Sequence, residues 1–246
     1  MEVHAHTHTE RKRLKHYLFE FFMLFLAVFC GFLAENFREH QVEHQREKQF
    51  IASLISDLKD DTLNITTQIN NIEKGIILFD SLSILLESPQ SAKKNAEAIY
   101  YTSRLGIRLA PFVNNSRTID QLKNSGGFRL IQQQETSSRI MNYYSGYPEL
   151  RMIEGFFDRE NNAFKEVASK IMDQSLYRKQ INPDGSVFRI KGDLTLLSYD
   201  LIQLNQLGFY AVEMNGSRRG MIGLLQNLKR SAEELLIYLK NAYHLQ

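Results

Sequence analysis

The first residue of this 246-residue chain placed where chemistry would notice it is a carboxylate, Glu20, inside the apolar run Tyr17 to Ala34. A charge in such a run is costly and turns toward a partner, a cavity or the interface. On a helix Glu20 shares a face with Leu24, Ala27, Gly31 and Ala34, and the small-xxx-small spacing of Ala27 and Gly31 lets a second membrane helix approach closely. Two uses of the carboxylate stand open: pairing with a cation across that contact, or reaching headgroups, Arg13 or Lys15 from just inside Tyr17. Ion conduction has less support than either.

Histidines make the second grouping. His4, His6 and His8 alternate in the tail, His16 abuts the apolar run, and His40 and His44 stand one helical turn apart beside Glu39 and Glu43. Two histidines at i and i+4 can share an ion, yet a zinc site takes a third protein ligand at fixed geometry, and the spacing offers none. The expectation is a solvated helix, a disordered tail with weak metal affinity, and no resident metal or cofactor.

The third grouping is richer in contact chemistry. Arg104, Arg108, Arg117, Lys123 and Arg129 surround chain breaks at Pro111 and Gly126-Gly127, and Tyr143, Tyr144 and Tyr147 follow. Loops carried on a rigid scaffold are where binding residues concentrate, and Arg with Tyr is the composition of contact surfaces. Arg104, Arg108, Arg117, Arg129, Tyr143 and Tyr144 are therefore candidate contacts for a partner or ligand; the competing account is solvated arginines and core tyrosines. No Gly-rich phosphate loop, GxSxG elbow or HExxH helix is written in the chain, and Ser125-Gly126-Gly127 has no histidine nearby in sequence to activate it. The expectation is a protein without catalytic activity.

The elements that must position these residues begin with the apolar run. At 1.5 Å per residue its roughly 18 residues cover about 27 Å, close to the bilayer core of about 30 Å. A cleaved signal peptide would need a small-x-small site, and Phe32-Leu33-Ala34 puts a ring at the first small position. Cys30 follows Phe29, which argues against lipoprotein processing. Arg11, Lys12, Arg13 and Lys15 precede the run with one acid, Glu10, whereas Glu35 to Lys48 mixes both signs, so the N-terminus is expected inside. The expected organisation is a basic, His-containing cytoplasmic tail at 1–16, a transmembrane signal anchor at 17–35 and an extracytoplasmic helical domain at 36–246. In a bacterium that domain would be periplasmic, held by the inner membrane.

Beyond the membrane the apolar residues recur every seven. Ile51, Leu58, Ile65, Ile72, Phe79 and Leu86 form one register and Ile55, Thr62, Ile69, Ile76 and Ser83 a second, the signature of a bundle or coiled-coil seam. No Gly or Pro stands between Phe32 and Ile72, so one helix is expected to run from the membrane to Ser88-Pro89, with Gly75 a mild weak point. Leu204, Ala211, Leu225, Ala232 and Leu239, with Leu207, Met214, Met221, Leu228 and Leu235, repeat the device at the C-terminal end. Arg218 interrupts that seam beside Gly216 and Gly220. A local irregularity or a polar contact follows, a loosened turn being the readier expectation than a binding role.

A third long helix is expected from Glu135 to Tyr177 through Leu150, Phe157, Phe164 and Ile171, bent or restarted at Pro148. Ala92 to Ile107 is helix-like. Thr118 and Gln121 make a capping box for a short helix that stops at Gly126-Gly127. Asn182-Pro183-Asp184-Gly185 is a turn, with a short extended piece over Ser186 to Ile190. The fold class is all-α: an N-terminal transmembrane helix continuing into an elongated four-helix-type bundle.

Charge narrows the partners. Thirty Lys and Arg against 28 Asp and Glu give a formal net charge of +2, too weak a field to draw nucleic acid. The one cysteine lies in the apolar run, so no intramolecular disulfide can form. The span with its early Glu, the exit LAENFREHQVEHQREKQF, and IDQLKNSGGFRLI with the Tyr143-Tyr144 pair resemble uncharacterised single-pass membrane proteins of Bacteroidota. That resemblance implies an inner-membrane location and a domain without an assigned activity. The function expected is a membrane-anchored interaction or assembly domain that contacts the bilayer and a protein partner or a second copy of itself. The alternative is a ligand-sensing bundle, which would need a membrane partner because the N-terminal tail is too short to fold as an output domain; against it, such receptors usually bring the chain back through the membrane, and Leu235 to Leu239 is too short for that.

Overall fold

The computed structural model describes residues 14–245, and the chain divides into two compact units that meet between Phe50 and Ile51. His4, His6, His8 and the basic cluster Arg11 to Arg13 lie outside the described residues. Helix α1 spans Leu14–Leu85 without a break, as the absence of Pro predicts. In the first unit its apolar run is exposed from end to end and is long and apolar enough to cross a membrane. Phe21, Phe25 and Phe29 stack along one side with ring centroids 6.4 and 5.9 Å apart. Glu20 pairs in cis with His16, one helical turn earlier, at 3.1 Å. Ala27, Gly31 and Ala34 are exposed, and the space over Gly31 is open. His44 lies 3.5 Å from Glu47, and no cluster of three or more metal-binding side chains exists among the described residues.

The second unit is an all-helical bundle. After α1 come α2 (Pro89–Lys94), α3 (Ala96–Gly106), α4 (Arg117–Asn124), a short 3-10 turn (Gly127–Leu130), α5 (Gln134–Tyr144), α6 (Tyr147–Ile171), α7 (Gln174–Lys179) and α8 (Leu201–Tyr243). The first register of α1, Ile51 through Leu86, is fully buried as expected. The second is not the expected one. Ile55 is buried as expected, but Thr62, Ile69, Ile76 and Ser83 are half-buried, and the column that continues is Leu54, Asp61, Gln68, Gly75 and Leu82. Polar residues and a glycine occupy its middle because other segments, rather than apolar side chains, pack there.

The expected third helix is three. Pro148 has no N–H to bond the Tyr144 carbonyl, so α5 stops at Tyr144 and α6 restarts at Tyr147. The second break comes where the Asp173 N–H donates to the Tyr100 hydroxyl at 2.7 Å and the Asp173 carboxylate caps α7 through Ser175 N at 2.6 Å. Asn182 to Gly185 forms the expected turn, with Gly185 at φ +81°. The extended piece at Ser186 to Ile190 does not form a strand; among the described residues there is one antiparallel bridge, Ile181 with Val187.

Helix α8 runs antiparallel to α5 and α6, as the pairs Thr136–Tyr238 and Glu160–Ser217 show, and antiparallel to α1, where Asn215 donates to Ile76 O and Asp80. Both of its apolar registers are buried as expected. The helix continues straight through Arg218, so the loosened turn is absent and the polar contact is what forms. The Arg218 side chain, 1% exposed, donates to the carbonyls of Gly75 (3.1 Å) and Gly106 and to Asn215 Oδ1 (3.0 Å). Its guanidinium carbon lies 4.4 Å from the Phe79 ring centroid and 5.7 Å from that of Phe157. Burial pulls its pKa down to about 10, partly opposed by Glu160, so it is a cation at neutral pH.

This crossing leaves no room for side chains where the glycines stand. A Cβ on Gly106 would fall 2.2 Å from a Phe79 ring carbon, and one on Gly75 would fall 3.2 Å from the Arg218 guanidinium. Gly106→Ala is expected to destabilise the protein by about 1–3 kcal/mol through overpacking. Urea unfolding followed by tyrosine fluorescence, against the control Gly155→Ala where the added carbon meets open space, checks this.

Candidate functional site

Residues 107–116 join α3 to α4 with no regular structure of their own, and side chains from α1 and α6 take up their backbone groups. Gln68 Nε2 donates to Ala110 O at 2.6 Å, and the Phe112 N–H donates to Glu154 Oε1 at 2.9 Å. The Asn115 N–H donates to Asp61 Oδ1 at 2.7 Å, and the Thr118 N–H to Asp57 Oδ2 at 3.0 Å. Asp57 is therefore the acceptor at the start of α4. The expected Thr118–Gln121 box does not form, because Thr118 is buried and its N–H faces α1. Arg117 completes the join at 3.2 Å from Asp57 and 3.9 Å from Asp60.

Asp61 is fully buried and accepts two further hydrogen bonds, from the Tyr143 hydroxyl at 2.8 Å and the Tyr147 hydroxyl at 2.9 Å. Desolvation raises its pKa above the ordinary carboxylate value; the bonds from Asn115, Tyr143 and Tyr147 oppose that rise and nearby Asp57 adds to it. Desolvation also pushes Tyr143, Tyr144 and Tyr147 well above the ordinary phenol range, so all three are neutral hydroxyls. Donors of this kind fix a carboxylate and a loop. They offer no nucleophile and no base near neutrality.

Anchored this way, the end of α3 faces α6 and α7 across a concave site. Arg104, Ile107, Arg108, Lys165 and Tyr177 line a chamber of about 280 Å³. A second, mainly apolar chamber of about 180 Å³ shares Lys165 and Tyr177 and adds Phe164, Ala168 and Met172. The Arg104 guanidinium lies 3.9 Å from the Tyr177 ring centroid, and Arg108 Nη1 donates to Gly185 O at 2.8 Å. Desolvation raises the Tyr177 pKa, and the charge of Arg104 works against that rise.

The six candidate contacts thus separate. Arg104 and Arg108 rim the groove, Arg117 with Tyr143 and Tyr144 belongs to the acid cluster on α1, and Arg129 is exposed on the 3-10 turn. Tyr143 and Tyr144 are buried, as the competing account of core tyrosines had it. Lys165 and Tyr177 carry no local signal, standing 61 and 73 residues from Arg104 in a stretch that reads as one plain helix. Asp57 and Asp61 were legible in principle, as carboxylates on or beside a buried column at sevens. No family model, curated protein or solved structure matches the chain, so its own geometry carries the functional argument.

Asp61→Ala removes the acceptor for two phenols and one amide and is expected to cost about 2–4 kcal/mol. Asp61→Asn tests the electrostatics. The raised pKa means the folded state binds this proton more tightly than the unfolded chain does. Wild-type stability relative to Asp61→Asn is therefore highest below about pH 4 and declines as pH rises through the folded-state pKa. Chemical unfolding of both proteins across acid to neutral pH checks the sign.

Proposed function

We propose that this chain is a single-pass inner-membrane protein whose extracytoplasmic four-helix-type bundle docks protein partners, a second copy of itself included, and performs no catalysis. The observation that carries the proposal is a row of exposed apolar side chains on α1, Leu63, Ile77 and Ile84, on the side away from the buried seam. They stand 14 and 7 residues apart, so they share one face of the helix. Exposed apolar rows rimmed by polar residues mark interaction surfaces. The exposed apolar run Tyr17 to Ala34 supports the membrane anchor, with Ala27, Gly31 and Ala34 as the helix-packing face. The likeness to single-pass proteins of Bacteroidota agrees with this placement.

The alternative, a ligand-sensing bundle that signals through a membrane partner, is favoured by one observation, the groove between α3, α6 and α7. Native mass spectrometry of the full-length protein purified from membranes in mild detergent separates the two. The docking proposal expects a stoichiometric homo-oligomer or partner complex that Leu63→Glu with Ile77→Glu dissolves without lowering the melting temperature. A monomer without partners, unaltered by the double substitution, would contradict it.

A further inference from the structure

We infer that the groove between α3, α6 and α7 is a binding site for a small anion carrying a short apolar arm. Charge is the first ground. Three cations, Arg104, Arg108 and Lys165, converge on it and no carboxylate lines either chamber. Several arginines outside the groove are compensated: Arg117, Arg139, Arg189 and Arg219 each pair with an acid. Among the described residues Arg104, Arg108 and Lys165 have no such partner. In a chain with nearly equal numbers of acids and bases, three unpaired cations around one concavity form a local positive field.

Shape and order are the second ground. Arg104 is already fixed on the Tyr177 ring and Arg108 on the Gly185 carbonyl, so an arriving anion orders few side chains. Guanidinium forks suit carboxylate and phosphate oxygens, and Lys165 adds a point charge between the chambers. Behind it Phe164, Ala168 and Met172 present apolar surface. The chamber of about 180 Å³ matches the scale of an apolar cavity of about 150 Å³ that takes up benzene. The ligand class is therefore a carboxylate or phosphate joined to a ring or short chain. This inference gives chemistry to the ligand-sensing alternative and relies on it only for what binding would signal.

Isothermal titration of the full-length protein in zwitterionic nanodiscs with phenyl phosphate, inorganic phosphate and benzyl alcohol tests it. The expected result is saturable one-to-one binding of phenyl phosphate, at least about tenfold tighter than inorganic phosphate or benzyl alcohol, a difference of about 1.4 kcal/mol. Lys165→Glu and Arg104→Gln should each weaken it several-fold with the melting temperature unchanged, since Lys165 is exposed and Arg104 only half-buried. The variant Leu63→Glu with Ile77→Glu should bind as wild type, which keeps failure of the docking proposal distinct from failure of this one. Repeating the titration with anionic lipid in the disc identifies the source: competition assigns the anion to a lipid headgroup, and its absence to a free solute. No saturable binding at millimolar phenyl phosphate, equal affinity for benzyl alcohol, or wild-type binding by both groove variants would overturn the site.

Discussion

One buried cation governs how the helices of the second unit meet. Arg218 lies in the seam of α8 with no carboxylate in direct contact, and moving a full charge out of water costs several kcal/mol unless other dipoles replace the solvent. Two sources do so. The Gly106 carbonyl belongs to the last residue of α3, one of the groups a helix end leaves without an internal partner, at the negative end of its dipole. The faces of Phe79 and Phe157 supply the rest through their quadrupoles. A single guanidinium thereby ties α1, α3, α6 and α8 at one crossing. Phe79 stacks on Phe164 at 5.1 Å beside it, and the glycines on α1 and α3 are what the close approach demands.

The groove depends on that crossing. Gly106 is two residues from Arg104 and from Arg108, so the bond from Arg218 fixes where the last turn of α3 delivers both arginines. The connection that follows is secured residue by residue to the polar side chains Asp57, Asp61 and Gln68 on α1 and Glu154 on α6. A chain of ten residues without regular structure thus gains defined positions for its amides. Leu63, Ile77 and Ile84 of α1 stay exposed outside the bundle core, Leu63 beside Val113 to Asn115 of that connection.

Much of this fold was legible in spacing. The buried residues of α8 and the first register of α1 are apolar and recur at sevens, and burial of an apolar stripe is what a bundle selects. Pro148 and Ser88-Pro89 also marked real helix boundaries. The second register of α1 was misassigned because Asp61, Gln68 and Gly75 resemble surface residues until the segments that bond or crowd them are known. Arg218 misled for the same reason: its compensation comes from backbone carbonyls and rings far away in sequence. Of the groove, Arg104 and Arg108 were found through the chain break beside them. Lys165 and Tyr177 are brought in only by tertiary packing, which no local pattern encodes.

The central claim is that the Arg218 guanidinium is locked between α1 and α3. The most direct measurement is side-chain nuclear magnetic resonance of full-length protein labelled with nitrogen-15 arginine, with Arg218→Lys used to assign the signal. A guanidinium bonded to two carbonyls and packed on rings should show separate Nη proton resonances that exchange slowly with water at neutral pH. An averaged, rapidly exchanging signal, as exposed arginines give, would contradict the account.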